Sequence, residues 1–156
     1  MVNAHRTESP LNILVAEDDP IDRKLLRLAV GEDGVRAKLF IVNDGEEVIQ
    51  YLKGAGGYGD RLNFPFPDVL ILDLKMDHLD GFDVLKWLRR HPACSGVPAV
   101  MLSGSGLDED VEQAYRLGAN SYFRKPNSVS DLTKLLRTVA EYWRLTEKPR
   151  PVSRCP

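Results

Sequence analysis

The stretch Asp68-Val69-Leu70-Ile71-Leu72-Asp73 limits what this chain can fold into more than any other. A short, unbroken run of Val, Leu and Ile lies between two carboxylates. Without polar alternation, such a run reads as a strand buried on both faces, in the middle of a parallel sheet. Asp73 then emerges at the carboxyl end of a central strand. In open α/β sheets that edge is where ligands and chemistry are found. A free carboxylate there serves as a metal ligand, a nucleophile or both.

The flanking chain alternates strands with helices. Leu11 to Ala16 reads as a first strand, followed by the acid cluster Glu17-Asp18-Asp19 and by Pro20, which suits the first turn of a helix. Ile21, Leu25, Leu28 and Ala29 form that helix's apolar face, and Gly31 and Gly34 end it. Lys38 to Val42 is a second strand; Asp44 and Glu47 resemble a reciprocal cap opening a helix through Leu52. After Asp73, the loop Leu74 to Asp80 leads through Gly81 into a helix carrying Phe82, Leu85 and Leu88, terminated at His91-Pro92. Val97 to Leu102 is a fourth strand. Asp108 opens a helix with Val111, Ala114, Tyr115 and Leu117, stopped by Gly118. Ser121 to Arg124 is a fifth strand. Ser128-Val129-Ser130-Asp131 has the form of a capping box and starts a last helix with Leu132, Leu135, Leu136, Val139 and Trp143 on its buried stripe. Five strands alternating with five helices imply right-handed crossovers and a doubly wound α/β fold with a five-stranded parallel sheet. The expected organisation is a flexible N-terminus over 1–10, one domain over 11–145 and a flexible Pro-rich tail over 146–156.

At 156 residues the chain suits one well-buried domain. A net charge of −2 speaks against general binding to nucleic acid or an anionic membrane. No apolar run approaches the ~20 residues that span a bilayer, and Met1 to Pro10 lacks a signal-peptide core, so a cytoplasmic protein is expected. Cys94 and Cys155 are too few and too separated to read as a disulfide framework or a zinc site. Cys94 reads as a small filler near a helix end, and Cys155 lies in the tail. Gly54-Ala55-Gly56-Gly57-Tyr58-Gly59 matches a dinucleotide fingerprint in form only, because it follows a helix rather than a strand. It reads as a loop. His78 has no metal-like partner spaced with it and reads as an exposed loop residue.

Four strand ends carry chemistry: Glu17 and Asp18 after the first, Asp73 at the third, Ser103 after the fourth and Lys125 after the fifth. A parallel sheet brings all of them to one edge. Three carboxylates there repel unless a cation neutralises them, and hard oxygen ligands suit Mg²⁺. A hydroxyl and an ammonium opposite them favour an anion such as phosphate.

On these residues the chain resembles a response-regulator receiver domain. The runs Ile13-Leu14-Val15-Ala16-Glu17-Asp18-Asp19-Pro20 and Asp68 to Asp73, with Leu79-Asp80-Gly81, Ser103 and Lys125-Pro126, follow one another in that family's order. The intervals agree too: Ser103 lies 30 residues after Asp73, and Lys125 lies 22 after Ser103. The resemblance spans roughly residues 11 to 145. It implies a CheY-like, flavodoxin-like sheet of strand order 2-1-3-4-5. The Gly-rich insertion and the ending Tyr142-Trp143-Arg144-Leu145 further resemble stand-alone regulators that partner bacterial phytochrome-type kinases.

The resemblance implies that Asp73 accepts a phosphoryl group from a sensor histidine kinase or a phosphotransfer protein. It implies Mg²⁺ held by Asp18 directly, by Glu17 through water, by Asp73 and by the backbone carbonyl of Lys75. Ser103 and Lys125 would bind the phosphoryl oxygens, and Tyr122 would change rotamer as the switch. Such a protein is a phosphoacceptor that catalyses its own transfer and slow dephosphorylation, not an enzyme acting on other molecules. With no output domain after the last helix, its output would be partner binding, including a homodimer through the last strand and helices.

Two departures stand out: Asp77 where the family usually has Pro, and Lys75 in place of a smaller polar residue. Lys75 and Ser105 would flank the path of the hydrolytic water, so Lys75 is expected to alter the lifetime of the phosphorylated form. Other readings fit less well. An aspartyl-phosphate phosphatase needs a second acid two residues after the nucleophile, where Lys75 stands. A flavodoxin-like FMN site needs a hydroxyl-rich loop where Glu17-Asp18-Asp19 would repel phosphate. A receiver-like interaction module without phosphorylation would have no use for the full set of strand-end groups.

Overall fold

A computed structural model describes residues 9–32, 34–149, 152 and 154–156. Its order is β1 (Leu11–Ala16), α1 (Pro20–Val30), β2 (Ala37–Val42), α2 (Gly45–Lys53), a 3₁₀ turn (Gly56–Tyr58), β3 (Val69–Leu72), α3 (Gly81–Arg90), β4 (Ala99–Ser103), α4 (Asp108–Arg116), β5 (Ser121–Arg124) and α5 (Val129–Leu145). The strands form one parallel sheet in the order β2-β1-β3-β4-β5, the expected doubly wound architecture.

Successive residues of a strand face opposite sides of the sheet, and both sides are covered here. Leu14, Leu70, Leu72, Ala99 and Met101 point to one side, where Val48, Tyr51, Leu52, Val84, Leu85 and Leu88 of α2 and α3 bury them. Ile13, Val15, Val69, Ile71 and Val100 point to the other, under Leu26 and Ala29 of α1 and Leu132, Leu136 and Val139 of α5. β3 is buried at every position, which is why its sequence shows no alternation.

Several local expectations need correction. On α1 the buried pair is Leu26 and Ala29, while Ile21 and Leu28 face solvent. The helix docks on its Leu26 side because that side meets α5. On α4 only Ala114 is buried, and Tyr115 is half exposed. Asp44 caps α2 by accepting from Glu47 N–H, but Glu47 turns to the Asn43 backbone and to Tyr58 rather than back to Asp44. The complete capping box lies at α3, between Asp80 and Asp83. The Gly-rich stretch is a loop as expected. Gly54 ends α2 in the left-handed conformation, and Tyr58 and Phe64 pack edge-to-face beside Tyr51.

The tail is the largest departure. Cys155 is buried and disulfide-bonded to Cys94, and its N–H donates to the Leu52 carbonyl. Val152 packs on the same core, and Lys148 donates to Asp68 at the start of β3. The described part of 146–156 is thus strapped across the amino-terminal edge of the sheet rather than free. Cys94 is a bridge residue, not a filler. The pairing escaped notice because two cysteines 61 residues apart carry no local signal. The remainder of that tail (150, 151 and 153) and positions 1–8 of the expected flexible N-terminus lie outside the described residues.

Candidate active site at the carboxyl edge of the sheet

Glu17, Asp73 and Lys125 are each anchored by one ladder bond just beyond their strands. Glu17 N–H donates to Val42 O at 3.0 Å, Asp73 N–H to Ala16 O at 3.1 Å, and Lys125 N–H to Ser103 O at 2.9 Å. The sheet register therefore brings the acids, the hydroxyl and the amine to one edge. Ser103 is the last residue of β4 rather than the one after it, paired with Arg124 of β5.

Glu17, Asp18 and Asp73 each offer a carboxylate oxygen, and these oxygens lie within 4.8 Å of one another. Glu17 and Asp73 are buried; Asp18 is half-buried and lines an open cleft with Lys75, Met76, Asp77 and Phe82. Burial and, to a smaller extent, the Asp73 charge push the Glu17 carboxyl up to about 7, against the opposing pull of its Lys125 hydrogen bond. Hard oxygens in that number fit a divalent cation such as Mg²⁺ or Mn²⁺, whose charge would relieve that repulsion. Lys75 N–H lies 3.4 Å from Asp73 Oδ1, so the Lys75 backbone borders the same cleft.

The Lys125 ammonium lies 2.7 Å from Asp73 Oδ2, 2.7 Å from Glu17 Oε2 and 2.7 Å from Asp22 Oδ2. Burial works against its charge, but the bonds to Asp22, Asp73 and Glu17 outweigh it and hold the pKa above the ordinary lysine range. Ser103 is buried, with its Oγ accepting from Ser105 N–H at 3.2 Å. Tyr122 is half-buried against the α2–α3 side of the core, and its hydroxyl donates to Ser105 O at 2.9 Å. Ser105 in turn donates its hydroxyl to Asp110 on α4. Tyr122, Ser103 and the β4–α4 loop are thus one connected set of contacts. His78 is exposed and outside the acid trio, with its backbone left-handed at φ 64°.

Supporting residues escaped the sequence reading. Arg23 donates to the carbonyls of Glu17 (3.1 Å) and Asp18 (2.7 Å), fixing the acid loop from α1. Asp19 caps α1 by accepting from Ile21 and Asp22 N–H, while its own N–H donates to Glu17 Oε1. The Asp19-Pro20 order was a legible cap signal; Arg23 and Asp22 had none, since nothing local places them over the site.

The geometry agrees with known proteins. The response regulator receiver domain family model matches residues 13–137. Response regulator Rcp1 of Synechocystis sp. is 30% identical over 134 residues, covering 86% of this chain and 89% of Rcp1. The Mn²⁺-bound form of Rcp1 superimposes with a TM-score of 0.75 at 29% identity, covering 90% of this chain and 99% of that one. A response regulator in red light signalling of R. palustris reaches a TM-score of 0.83 at 31% identity, over 91% of this chain and 99% of that one. The phosphorylated cyanobacterial phytochrome response regulator RcpA reaches 0.78 at 29% identity, over 92% of this chain and all (100%) of that one. Fold, strand-end acids and amine, and matched span agree: this chain belongs to the response regulator receiver domain family of two-component signalling.

Proposed function

We propose that this chain is a phosphoryl-accepting switch in which Asp73 is the acceptor, with Mg²⁺ at Glu17, Asp18, Asp73 and the Lys75 carbonyl. The observation that carries it is the Lys125 ammonium 2.7 Å from Asp73 Oδ2, on the edge that gathers three carboxylates. Phosphoryl transfer asks for positioning and charge stabilisation more than for covalent chemistry by the protein. An Asp73 oxygen attacks phosphorus in line as the bond from phosphorus to the donor breaks, and the donor leaves with that electron pair. Lys125 and the Ser103 hydroxyl engage the phosphoryl oxygens. Bound Mg²⁺ would offset charge on those oxygens. The product carries about −1.5 to −2 charge where a single carboxylate stood. That draws Ser103 inward and shifts the Tyr122–Ser105 contact, a change of population between two packings.

The donor is a sensor histidine kinase or a phosphotransfer protein in the cytoplasm. The likeness to RcpA and to the red-light regulator of R. palustris supports a phytochrome-type kinase. Output is partner binding, and a homodimer through β5 and α5 would cover Tyr142 and Leu145, which are exposed. Incubation with Mg²⁺ and acetyl phosphate, followed by intact-mass spectrometry, tests the acceptor: one added phosphoryl group is expected, and none with Asp73→Asn. An unmodified wild-type protein, or an equally modified variant, removes Asp73 from this role.

A further inference from the structure

An ammonium has three N–H donors, and those of Lys125 meet three different carboxylates: Glu17, Asp73 and Asp22. Glu17 and Asp73 belong to the acid trio and are buried. Asp22 stands outside that trio, in the first turn of α1, with its side chain 34% exposed. Its place is set locally, because Asp22 N–H donates to the capping Asp19 Oδ1 at 3.1 Å. Leu25, Leu26, Leu102 and Leu132 line the space beside Asp22 and Lys125, so the pair meets against an apolar wall.

We propose that Asp22 is a positioning residue for Lys125. It holds the ammonium on the α1 side of the site, and it is the contact released when Lys125 turns to a phosphoryl oxygen on Asp73. This rests on Asp73 being the phosphoacceptor. On phosphorylation the Asp73 carboxylate becomes an acyl phosphate whose phosphoryl oxygens stand beyond it, and the ammonium that follows them must leave one of its two other partners. Releasing Glu17 leaves a buried carboxylate oxygen without its donor, which is costly. Releasing Asp22 returns a partly exposed carboxylate to water, where an ion pair contributes little. Asp22 therefore competes with the phosphoryl group for Lys125 and biases the molecule toward its unphosphorylated arrangement.

The test is a fluorine NMR titration of the full chain with beryllofluoride, a mimic of the aspartyl phosphoryl group, in saturating Mg²⁺. Wild type is compared with Asp22→Asn, Asp22→Glu and Asp77→Asn. Asp22→Asn is expected to bind about two- to fivefold more tightly, the size of a partly exposed ion pair. Asp22→Glu, which keeps a carboxylate near the ammonium, restores wild-type affinity. Asp77→Asn removes an equal charge from the exposed loop beside the site and gives less than half the gain. Equal or weaker binding by Asp22→Asn overturns the role, as does an equal gain from Asp77→Asn, which marks a general charge effect. Wild type that fails to bind beryllofluoride at all overturns the phosphoacceptor reading itself, and this role with it.

Discussion

A methyl group placed on Gly81 would stand 2.5 Å from the backbone carbonyl oxygen of Asp73. The first residue of α3 is therefore packed directly on the backbone of Asp73, the proposed acceptor, with Met101 Cε 2.8 Å from the same point. Only a residue without Cβ allows that approach. Gly81→Ala is expected to cost about 1–3 kcal/mol through overpacking and to slow modification of Asp73 by displacing it. Urea denaturation and the acetyl phosphate reaction measure the two effects separately.

Lys125 and Asp73 respond in opposite ways to removal. Lys125→Ala leaves Glu17 and Asp73 buried without their shared counter-charge and is expected to destabilise the fold by about 3–5 kcal/mol. Asp73→Asn removes one of three acids competing for a single ammonium and still offers an oxygen to it. Its stability in metal-free buffer is expected at or above wild type. Chemical denaturation of both variants decides the matter, and a destabilised Asp73→Asn would contradict it.

Glu17 titrates near 7, above its ordinary 4.5, so folding favours its protonated form. The stability linked to it is present in full below about 4.5 and is lost as pH rises through about 7. A divalent cation binds only the ionised acid, so its effect runs the other way. Without metal, the melting temperature is expected to fall between pH 5 and pH 8. Added Mg²⁺ should raise it far more at pH 8 than at pH 5, and chelator should reverse that gain. Thermal melts with and without Mg²⁺ at the two pH values provide the check.

The Cys94–Cys155 bond straps the described tail to the α3–β4 connection. Closing a loop with 61 residues of separation stabilises by about 4 kcal/mol in the chain-entropy account. Reductant is therefore expected to lower the stability of wild type by that amount and to leave Cys155→Ser unaffected. Guanidinium denaturation with and without dithiothreitol reads both. In a reducing cytoplasm the pair would stand as thiols, leaving the Cys155–Leu52 backbone bond, the Lys148–Asp68 contact and the packing of Val152 among the contacts that hold the strap.

Much of the fold was legible because its signals are local. The unbroken apolar run of β3, the bounds of β1 and β5, and the serine opening α5 follow from chain geometry within a few residues. The convergence of Glu17, Asp18, Asp73, Ser103 and Lys125 was legible too, because a parallel sheet sends every strand's carboxyl end to one edge. Element bounds were less so: β4 begins at Ala99, since Pro98 donates no hydrogen bond and Val97 N–H turns back to Cys94 O.

Other features depend on which surfaces meet. Whether Ile21 or Leu26 faces inward depends on where α5 lies, and a single helix pattern permits either. Arg89 ties Ser95, Val97 and Gly118 carbonyls across two loops, and its own sequence neighbourhood gives no hint of that. The third carboxylate on Lys125 and the partner of Cys94 belong to the same class. The sequence by itself determined the strands and the groups that end them, because hydrophobic period and strand polarity act over short distances; the family was legible in the resemblance of its motifs. The tertiary structure decided that Asp22 shares Lys125 and that the tail closes on Cys94, because those contacts arise only when segments 61 to 103 residues apart are packed together.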